Sequence, residues 1–178
     1  VTPVELVNFI LKARTDLLWF GGIGTYIKSD KETHADAGDK ANDAIRVNAS
    51  EVRAKVLGEG ANLGITQLGR IDLAENDVRV NTDFLDNSAG VDSSDHEVNI
   101  KILLSDVLAQ KEHKMDIKER NKLLEKMTDE VAEHVLRHNY QQAQAISLAE
   151  IQARENLQIQ EEFIEDMERE QGLRRDIE

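Results

Sequence analysis

The distribution of glycine along the chain constrains its fold more than any other sequence feature. In the first half, short apolar runs stop at glycines or at clusters of Asn, Asp and Ser, whereas from Glu97 onward no glycine occurs until Gly172. Apolar residues in that later stretch recur at helical spacing. This order predicts strand–helix alternation followed only by helices, which is half of a parallel α/β sheet and then a helical segment.

Three short apolar runs predict the strands of the sheet, at residues 16–20, 55–57 and 78–80. The first run, DLLWF, does not alternate between apolar and polar residues and stops at Gly21. Such a pattern is typical of a strand that is buried on both faces.

Capping residues and apolar spacing predict the helices. Thr2, Pro3 and Glu5 form a capping box with proline at the first helical position. The spacing predicts further helices over about 36–48, weakly after Thr66, from Glu97, over 116–127, from Thr128, and from Ser147, whose partner Glu150 completes a second capping box.

The acidic composition excludes several classes of partner. The chain carries 22 Lys and Arg against 35 Asp and Glu, a formal charge of -13. Nucleic acid and anionic membrane surfaces both require clustered basic residues. No cysteine is present, which suits a cytoplasmic location and excludes thiolate sites. No apolar run approaches the ~20 residues of a membrane helix. The start at Val1 suggests a piece of a longer chain.

Two glycine-rich turns follow predicted strands. Residues 21–24 read GGIG, but a dinucleotide fingerprint would require a third glycine where Ile27 stands, so a tight turn is the favoured interpretation. Lys28 could reach an anion there, although a solvated loop lysine is the simpler reading. Residues 58–62, GEGAN, suit either close backbone approach to a ligand or a plain turn.

Two polar groupings in the second half have simple structural explanations. In residues 87–97, NSAGVDSSDHE, Ser93, Ser94 or Asp95 is expected to cap the following helix. His134 and His138 share one helix face with Glu130, but no third ligand makes a metal site specific. We therefore expect an exposed helix face and no metal.

Four ordered blocks closely resemble the large bacterial NAD-specific glutamate dehydrogenases. They are residues 16–28 (DLLWFGGIGTYIK), 38–47 (GDKANDAIRV), 58–67 (GEGANLGITQ) and 87–99 (NSAGVDSSDHEVN), and the likeness continues through 100–104 and 127–131. A fainter similarity extends to the hexameric glutamate dehydrogenases, whose Glu-Gly-Ala-Asn and Asn-Ala-Gly-Gly-Val motifs match residues 59–62 and 87–91. Residues 88–89 and 95–96 depart from the hexameric pattern.

The resemblance implies an α/β fold in which residues 1–95 are the second half of a doubly wound, Rossmann-like sheet that binds NAD, and 96–178 are helical. It implies oxidative deamination of L-glutamate to 2-oxoglutarate and ammonia, with hydride transfer to NAD. The expected cofactor-binding residues are Gly22, Gly24, Gly60, Asn62 and Asn87. The expected substrate-binding residue is Ser94, with Ser93 as the alternative.

The resemblance also limits what this chain can do by itself. In the family, the lysine and the carboxylate that move protons lie upstream of the matching region, so no catalytic residue is assigned here and the isolated chain is expected to be inactive. The alternative is a non-catalytic helical interaction or assembly module carried by residues 147–178. We also expect a homo-oligomer, because the uncharged strand 17–20 would present an open edge.

Overall fold

A computed structural model describes residues 1–110 and 115–175 as a mixed α/β structure with a small parallel sheet and mostly helices. Its contacts divide the chain into two units, Val1–Asn139 and Tyr140–Glu178. The strands all belong to the first unit. The boundary expected at residue 95 lies inside a helix, and residues 111–114 and 176–178 of the expected helical segment lie outside the described residues.

The main sheet has three parallel strands in the order β1-β4-β5. They are β1 (Thr15–Phe20), β4 (Ala54–Glu59) and β5 (Arg79–Val80), and a separate parallel pair is formed by β2 (Ile27–Lys28) and β3 (Val47–Asn48). The three predicted strands are confirmed, as is their parallel direction. The β2–β3 pair was not predicted, because two-residue strands leave no pattern in the sequence.

The expectation that residues 16–20 are buried on both faces is wrong for this chain. Leu17 and Trp19 pair with Val56 and Gly58 on one face of the sheet, and Leu17 is 54% and Trp19 55% exposed. Phe20 lies on the other face and is buried. In this chain, an apolar run without alternation therefore does not indicate that both faces of the strand are buried.

The core lies against the covered face of the sheet. Helices α1 (Pro3–Leu11) and α2 (Gln67–Glu75) begin at the predicted caps, Thr2 and Thr66, whose hydroxyls accept from the backbone N–H of Glu5 and Gly69. The buried apolar cluster comprises Leu11, Phe20, Ile27, Val47, Ala49, Val52, Ala54, Leu57, Ile65, Leu73 and Val78.

Residues 36–48 do not form the predicted helix. They contain only a short 3-10 turn, Lys40–Asn42, before β3. The buried Arg46 explains the difference, because its guanidinium donates to the Thr25 carbonyl at 2.8 Å and to the Asp39 carbonyl, and pairs with Asp43 at 2.6 Å. These bonds hold the segment as a loop wrapped around one arginine.

The helical part has fewer and longer helices than predicted. After α3 (Asp83–Asp86), α4 runs over Ser88–Ala109, α5 over Ile117–Gln152 and α6 over Leu157–Asp166, followed by a π-helical turn, Met167–Gln171. Helix α4 begins at Ser88, so Ser93, Ser94 and Asp95 lie within it and do not cap it. In the described part of the chain, none of the helices has the length and apolarity needed to cross a membrane.

The sequence predicted that helices start at Thr128 and Ser147. Both residues instead lie within α5. The Thr128 hydroxyl donates to the Leu124 carbonyl at 3.0 Å, and that of Ser147 donates to the Ala143 carbonyl at 3.0 Å. A hydroxyl that bonds backward in this way stays compatible with a continuous helix. The capping box expected for Ser147 and Glu150 is therefore not formed.

Candidate functional site at the carboxyl ends of the strands

The loops that follow β1, β4 and β5 leave the same edge of the sheet, because the three strands are parallel. In open parallel sheets, ligands bind outside the carboxyl ends of the strands. The glycine-rich turns and both asparagines singled out in the sequence lie in or next to these loops.

Asn62 and Asn87 meet at this edge. Asn62 follows β4 and Asn87 stands at the junction between α3 and α4, and the Asn87 side-chain amide donates to the Asn62 side-chain carbonyl. Asn62 is exposed and Asn87 is half-buried. Two carboxamides from different strand connections therefore lie side by side, with donors and acceptors available to a polar ligand.

A buried ion pair shapes the loop that carries Asn62. The Glu59 side chain is fully buried, and its carboxylate accepts from Arg70 Nε at 2.7 Å and Nη2 at 3.0 Å. The same carboxylate accepts from the Ile65 backbone N–H at 3.2 Å. Glu59 therefore joins the start of the loop to its end, and the bidentate arginine satisfies both carboxylate oxygens.

Two aspartates hold the same loop from the side of α3. Asp83 accepts from the Leu63 N–H at 2.7 Å and Asp86 accepts from the Glu59 N–H at 2.9 Å. Leu63 has a φ of 61°, a left-handed conformation that is uncommon for leucine. The hydrogen bond that the Leu63 N–H donates to Asp83 helps to maintain this conformation next to Asn62.

Burial raises the pKa of Glu59 above its usual value, and the hydrogen bonds from Arg70 act in the opposite direction. This network of Glu59, Arg70, Asp83 and Asp86 was missed in the sequence. The contacts of Glu59 with Arg70 and Asp86 join residues 11 and 27 positions apart, so no local spacing pattern connects them.

The loop after β1 is tied to the Asn62 loop through Thr25. Thr25 Oγ1 donates to the Leu63 carbonyl at 2.8 Å, and its N–H donates to Asp39 at 2.8 Å. Gly24 has a φ of 145°, and a Cβ there would lie 2.6 Å from the Tyr26 hydroxyl. Gly22 is exposed, and a Cβ there would meet no atom within 4 Å. Gly24 is thus required by the loop, whereas Gly22 borders open space.

The close approach at Gly60 involves a side chain of the same chain. A Cβ at Gly60 would lie 2.7 Å from Nε1 of Trp19, and a Cβ at Gly58 would lie 2.6 Å from the Cζ3 atom of that indole. The indole therefore lies over Gly58 of β4 and over Gly60, which follows the strand. Trp19 accounts for the absence of side chains at these positions without a ligand.

Ser93 and Ser94 lie on α4 and are both exposed. The Ser93 hydroxyl donates to the Ala89 carbonyl at 2.7 Å. Ser94 is seven residues after Asn87, which places it on the same side of the helix, about 10 Å further along the axis.

Lys28 and the histidines of α5 differ from the sequence interpretations. Lys28 is 7% exposed, and its Nζ donates to the Glu32 carbonyl at 2.7 Å and to Asn48 Oδ1 at 2.5 Å, so it is neither solvated nor directed at a ligand.

His138 contacts Asp92 of α4 at 2.8 Å, so this face of α5 is partly covered. Among the described residues, no three His, Asp or Glu side chains are arranged to hold a metal ion.

Comparison with known proteins connects this geometry to a family. Residues 1–149 match the family described as bacterial NAD-glutamate dehydrogenase, catalytic domain. Over its whole length the chain is 54% identical to the NAD-specific glutamate dehydrogenase of Pseudomonas aeruginosa, 50% to that of Mycobacterium tuberculosis and 49% to that of Halomonas elongata. It spans 11% of the length of each of these relatives. The chain belongs to the family of bacterial NAD-glutamate dehydrogenase catalytic domains.

Proposed function

We propose that this chain forms the nicotinamide side of the active site in an NAD-dependent glutamate dehydrogenase, an amino-acid oxidoreductase. The observation that carries the proposal is the contact between Asn62 and Asn87 at the carboxyl ends of the parallel strands. These positions match the family motifs, and the names of the relatives specify NAD and glutamate. In the parent enzyme, L-glutamate is oxidised to 2-oxoglutarate and ammonia.

The residues at this edge fit a nicotinamide nucleotide. Two adjacent carboxamides offer the donors and acceptors that a nicotinamide amide and a ribose need. Gly22 and Gly24 border the first loop, and Gly60 follows β4, so all five proposed cofactor residues lie in the connections at this edge. When bound, NAD supplies the hydride acceptor, while the residues of this chain bind and orient it.

Ser94 is the proposed contact for the side-chain carboxylate of glutamate. Its position on the Asn87 side of α4 places it about two helical turns beyond the nicotinamide side of the site. The Ser93 hydroxyl is already bonded to the Ala89 carbonyl, which favours Ser94. Ser93 remains the alternative, because a serine hydroxyl can exchange its partner by rotation.

The proposal includes an architecture for the parent enzyme. The three-stranded sheet is the second half of a doubly wound, Rossmann-like sheet, residues 1–95 belong to the NAD-binding domain and residues 96–178 form the following helical segment. The first half of the sheet and the proton-transfer residues lie elsewhere in a cytoplasmic homo-oligomer. The isolated chain therefore has no dehydrogenase activity and binds NAD weakly at best.

The test is Asn62→Ala in the full-length dehydrogenase. We expect kcat/KM for NAD to fall about tenfold or more, since one of the paired carboxamides is lost. Asn76→Ala is the matched control, because Asn76 is also an exposed asparagine in the first unit, and its side-chain amide donates to the Asp72 carbonyl at 2.8 Å at the end of α2. Steady-state kinetics with NAD and L-glutamate provide the measurement. Unchanged kinetics of Asn62→Ala would contradict the proposed role.

A second candidate is a helical assembly module in the second unit. Apolar side chains of this unit are exposed, among them Ile151, Ile159 and Phe163, and such a face suits packing on another helix. If this candidate is correct, Phe163→Glu should change the mass of the assembly that the full-length protein forms, as measured by light scattering. Asn62→Ala should then be silent, so the two variants separate the candidates.

A further inference from the structure

Helix α5 contacts the chain at the point where Asn87 is positioned. The side-chain amide of Asn139 donates to the Ser88 hydroxyl at 2.8 Å and to the Leu85 carbonyl at 3.3 Å. These acceptors flank Asn87, one residue after it and two residues before it. The side chain of Asn139, which is 51 residues from Ser88 in the sequence, therefore spans the α3–α4 junction.

The contact is well protected from solvent. Leu85 and Ser88 are 7% and 9% exposed, and Val135, one turn before Asn139 on α5, is 7% exposed. In such surroundings a polar group without a partner is unfavourable, so the two hydrogen bonds hold the amide at this point. His138 adds a second contact between the same two helices, through Asp92 at 2.8 Å.

The direction of the Asn87 side chain depends on the junction that Asn139 holds. Asn87 is both the C-cap residue of α3 and the N-cap residue of α4. Its backbone N–H donates to the Asp83 carbonyl at 2.8 Å. A change in the angle between α3 and α4 would therefore move its amide away from Asn62.

We infer that Asn139 is a positioning residue for the cofactor site: it acts by fixing the backbone around Asn87 and does not itself contact the ligand. The inference rests on the proposed function, because it assigns Asn139 to the Asn62–Asn87 pair. Displacing a group next to reacting atoms by about 1 Å can reduce the rate up to a hundredfold. A role in folding alone would lower stability without changing the kinetics of the folded enzyme.

The experiment compares Asn139→Ala, Ser88→Ala and the double variant in the full-length dehydrogenase. We expect Asn139→Ala to lower kcat about tenfold, measured well below the temperature of its unfolding transition. Ser88→Ala removes one of the two acceptors and should have a smaller effect. The double variant should be no worse than Asn139→Ala, because two residues that act through one contact are not additive.

Asn99→Ala is the matched control, because Asn99 lies exposed on α4 and its side-chain amide donates to the Asp95 carbonyl of the same helix at 2.9 Å. We expect this control to keep the parent kinetics. Parent-like kcat in Asn139→Ala, or effects of Asn139→Ala and Ser88→Ala that simply add, would overturn the inference. If Asn139→Ala does not fold, a parent-like kcat in Ser88→Ala overturns it and a reduced kcat supports it.

The activity of the unmodified full-length enzyme distinguishes a failure of this inference from a failure of the proposed function. An unmodified enzyme that does not oxidise glutamate with NAD contradicts the proposed function itself. An active parent with an impaired Asn62→Ala variant and an unimpaired Asn139→Ala variant retains the proposed function and removes only the positioning role of Asn139.

Discussion

The two faces of the β1–β4–β5 sheet are formed by the same three strands but have very different surroundings. On one face Phe20, Leu57 and Glu59 are buried, with Leu57 2% exposed. On the other face Leu17, Trp19 and Val56 remain between 41% and 55% exposed. Leu17 and Leu57 have identical side chains, so the difference comes from the elements packed against them and not from the residues of the strands.

The comparison teaches that this chain stabilises one side of its site by itself. The covered face carries the core and the Glu59–Arg70 pair, which together hold the Asn62 loop. The open face is apolar, and on it the Trp19 indole lies over Gly58 and Gly60. We expect the open face to be covered by further protein in the parent dehydrogenase.

The largest effect that we expect is from Arg70→Met on the covered face. The change leaves the Glu59 carboxylate buried without its partner, and the free energy of unfolding should fall by about 3–5 kcal/mol. Urea unfolding of the purified chain measures the effect. Lys55→Met is the matched control, because it breaks the exposed Lys55–Asp16 pair of 2.7 Å and should cost at most about 1 kcal/mol. Equal losses in the two variants would contradict the comparison.

Leu57→Ala and Leu17→Ala compare the two faces with the same substitution. Leu57→Ala should lower the free energy of unfolding by about 2–5 kcal/mol, because it leaves a cavity in the core. Leu17→Ala should lower it by about 1 kcal/mol or less, since the side chain is already half in water. Urea midpoints and slopes of both variants, measured at a concentration at which the chain is monomeric, test this, and similar midpoints would contradict the comparison.

The open face should cause the isolated chain to self-associate. Beside it, β1 is an edge strand whose last four residues, 17–20, carry no charge to discourage pairing. Burying each apolar side chain gains roughly 1.5–3 kcal/mol. The net charge of -13 opposes association, but exposed charges are screened over about 8 Å at physiological salt.

Light scattering over a range of concentrations measures this association. We expect a dimer for the unmodified chain and a monomer for Leu17→Lys, which places a charge on the strand. Phe84→Lys provides a control at an exposed aromatic residue in another part of the first unit. A monomer at high micromolar concentration for the unmodified chain would be contrary to the prediction.

The smallest effect that we expect is a pH dependence that comes from the covered face. The pKa of Glu59 is raised by burial, so the folded chain binds its proton more tightly than the unfolded chain. The stabilisation linked to that proton is complete below the unfolded value of 4.5 and is lost as the pH rises through the folded pKa. As the pH rises above 4.5, the unfolding free energy should therefore decline more in the unmodified chain than in Glu59→Gln. Parallel pH profiles of the two proteins would disagree with the raised pKa.

Local signals in the sequence were sufficient for several elements of the fold. The Thr2 hydroxyl caps α1 as predicted, because a cap needs only residues within one turn, and α2 follows Thr66 where the sequence predicted a weak helix. The apolar runs before Gly21, Gly58 and Asn81 predicted three strands, and parallel strands bring their following loops to one edge.

Where the prediction failed, a distant partner or an ambiguous hydroxyl was responsible. The spacing of residues 36–48 favoured a helix, but Arg46 is buried against the Thr25 and Asp39 carbonyls and holds a loop instead. Thr128 and Ser147 can cap a new helix or bond backward within one, and only the packed structure selects the second option.

The sequence by itself determined the parallel strands, the capped helices and the family, because these depend on local spacing and on ordered motifs. Tertiary structure alone decided which sheet face is covered, that Glu59 pairs with Arg70, and that Asn139 holds the junction at Asn87. The hydrogen bonds of Arg70 and Asn139 in these features join residues 11 to 54 positions apart. Their formation depends on burial, which makes an unpartnered polar group costly and which no local pattern of residues records.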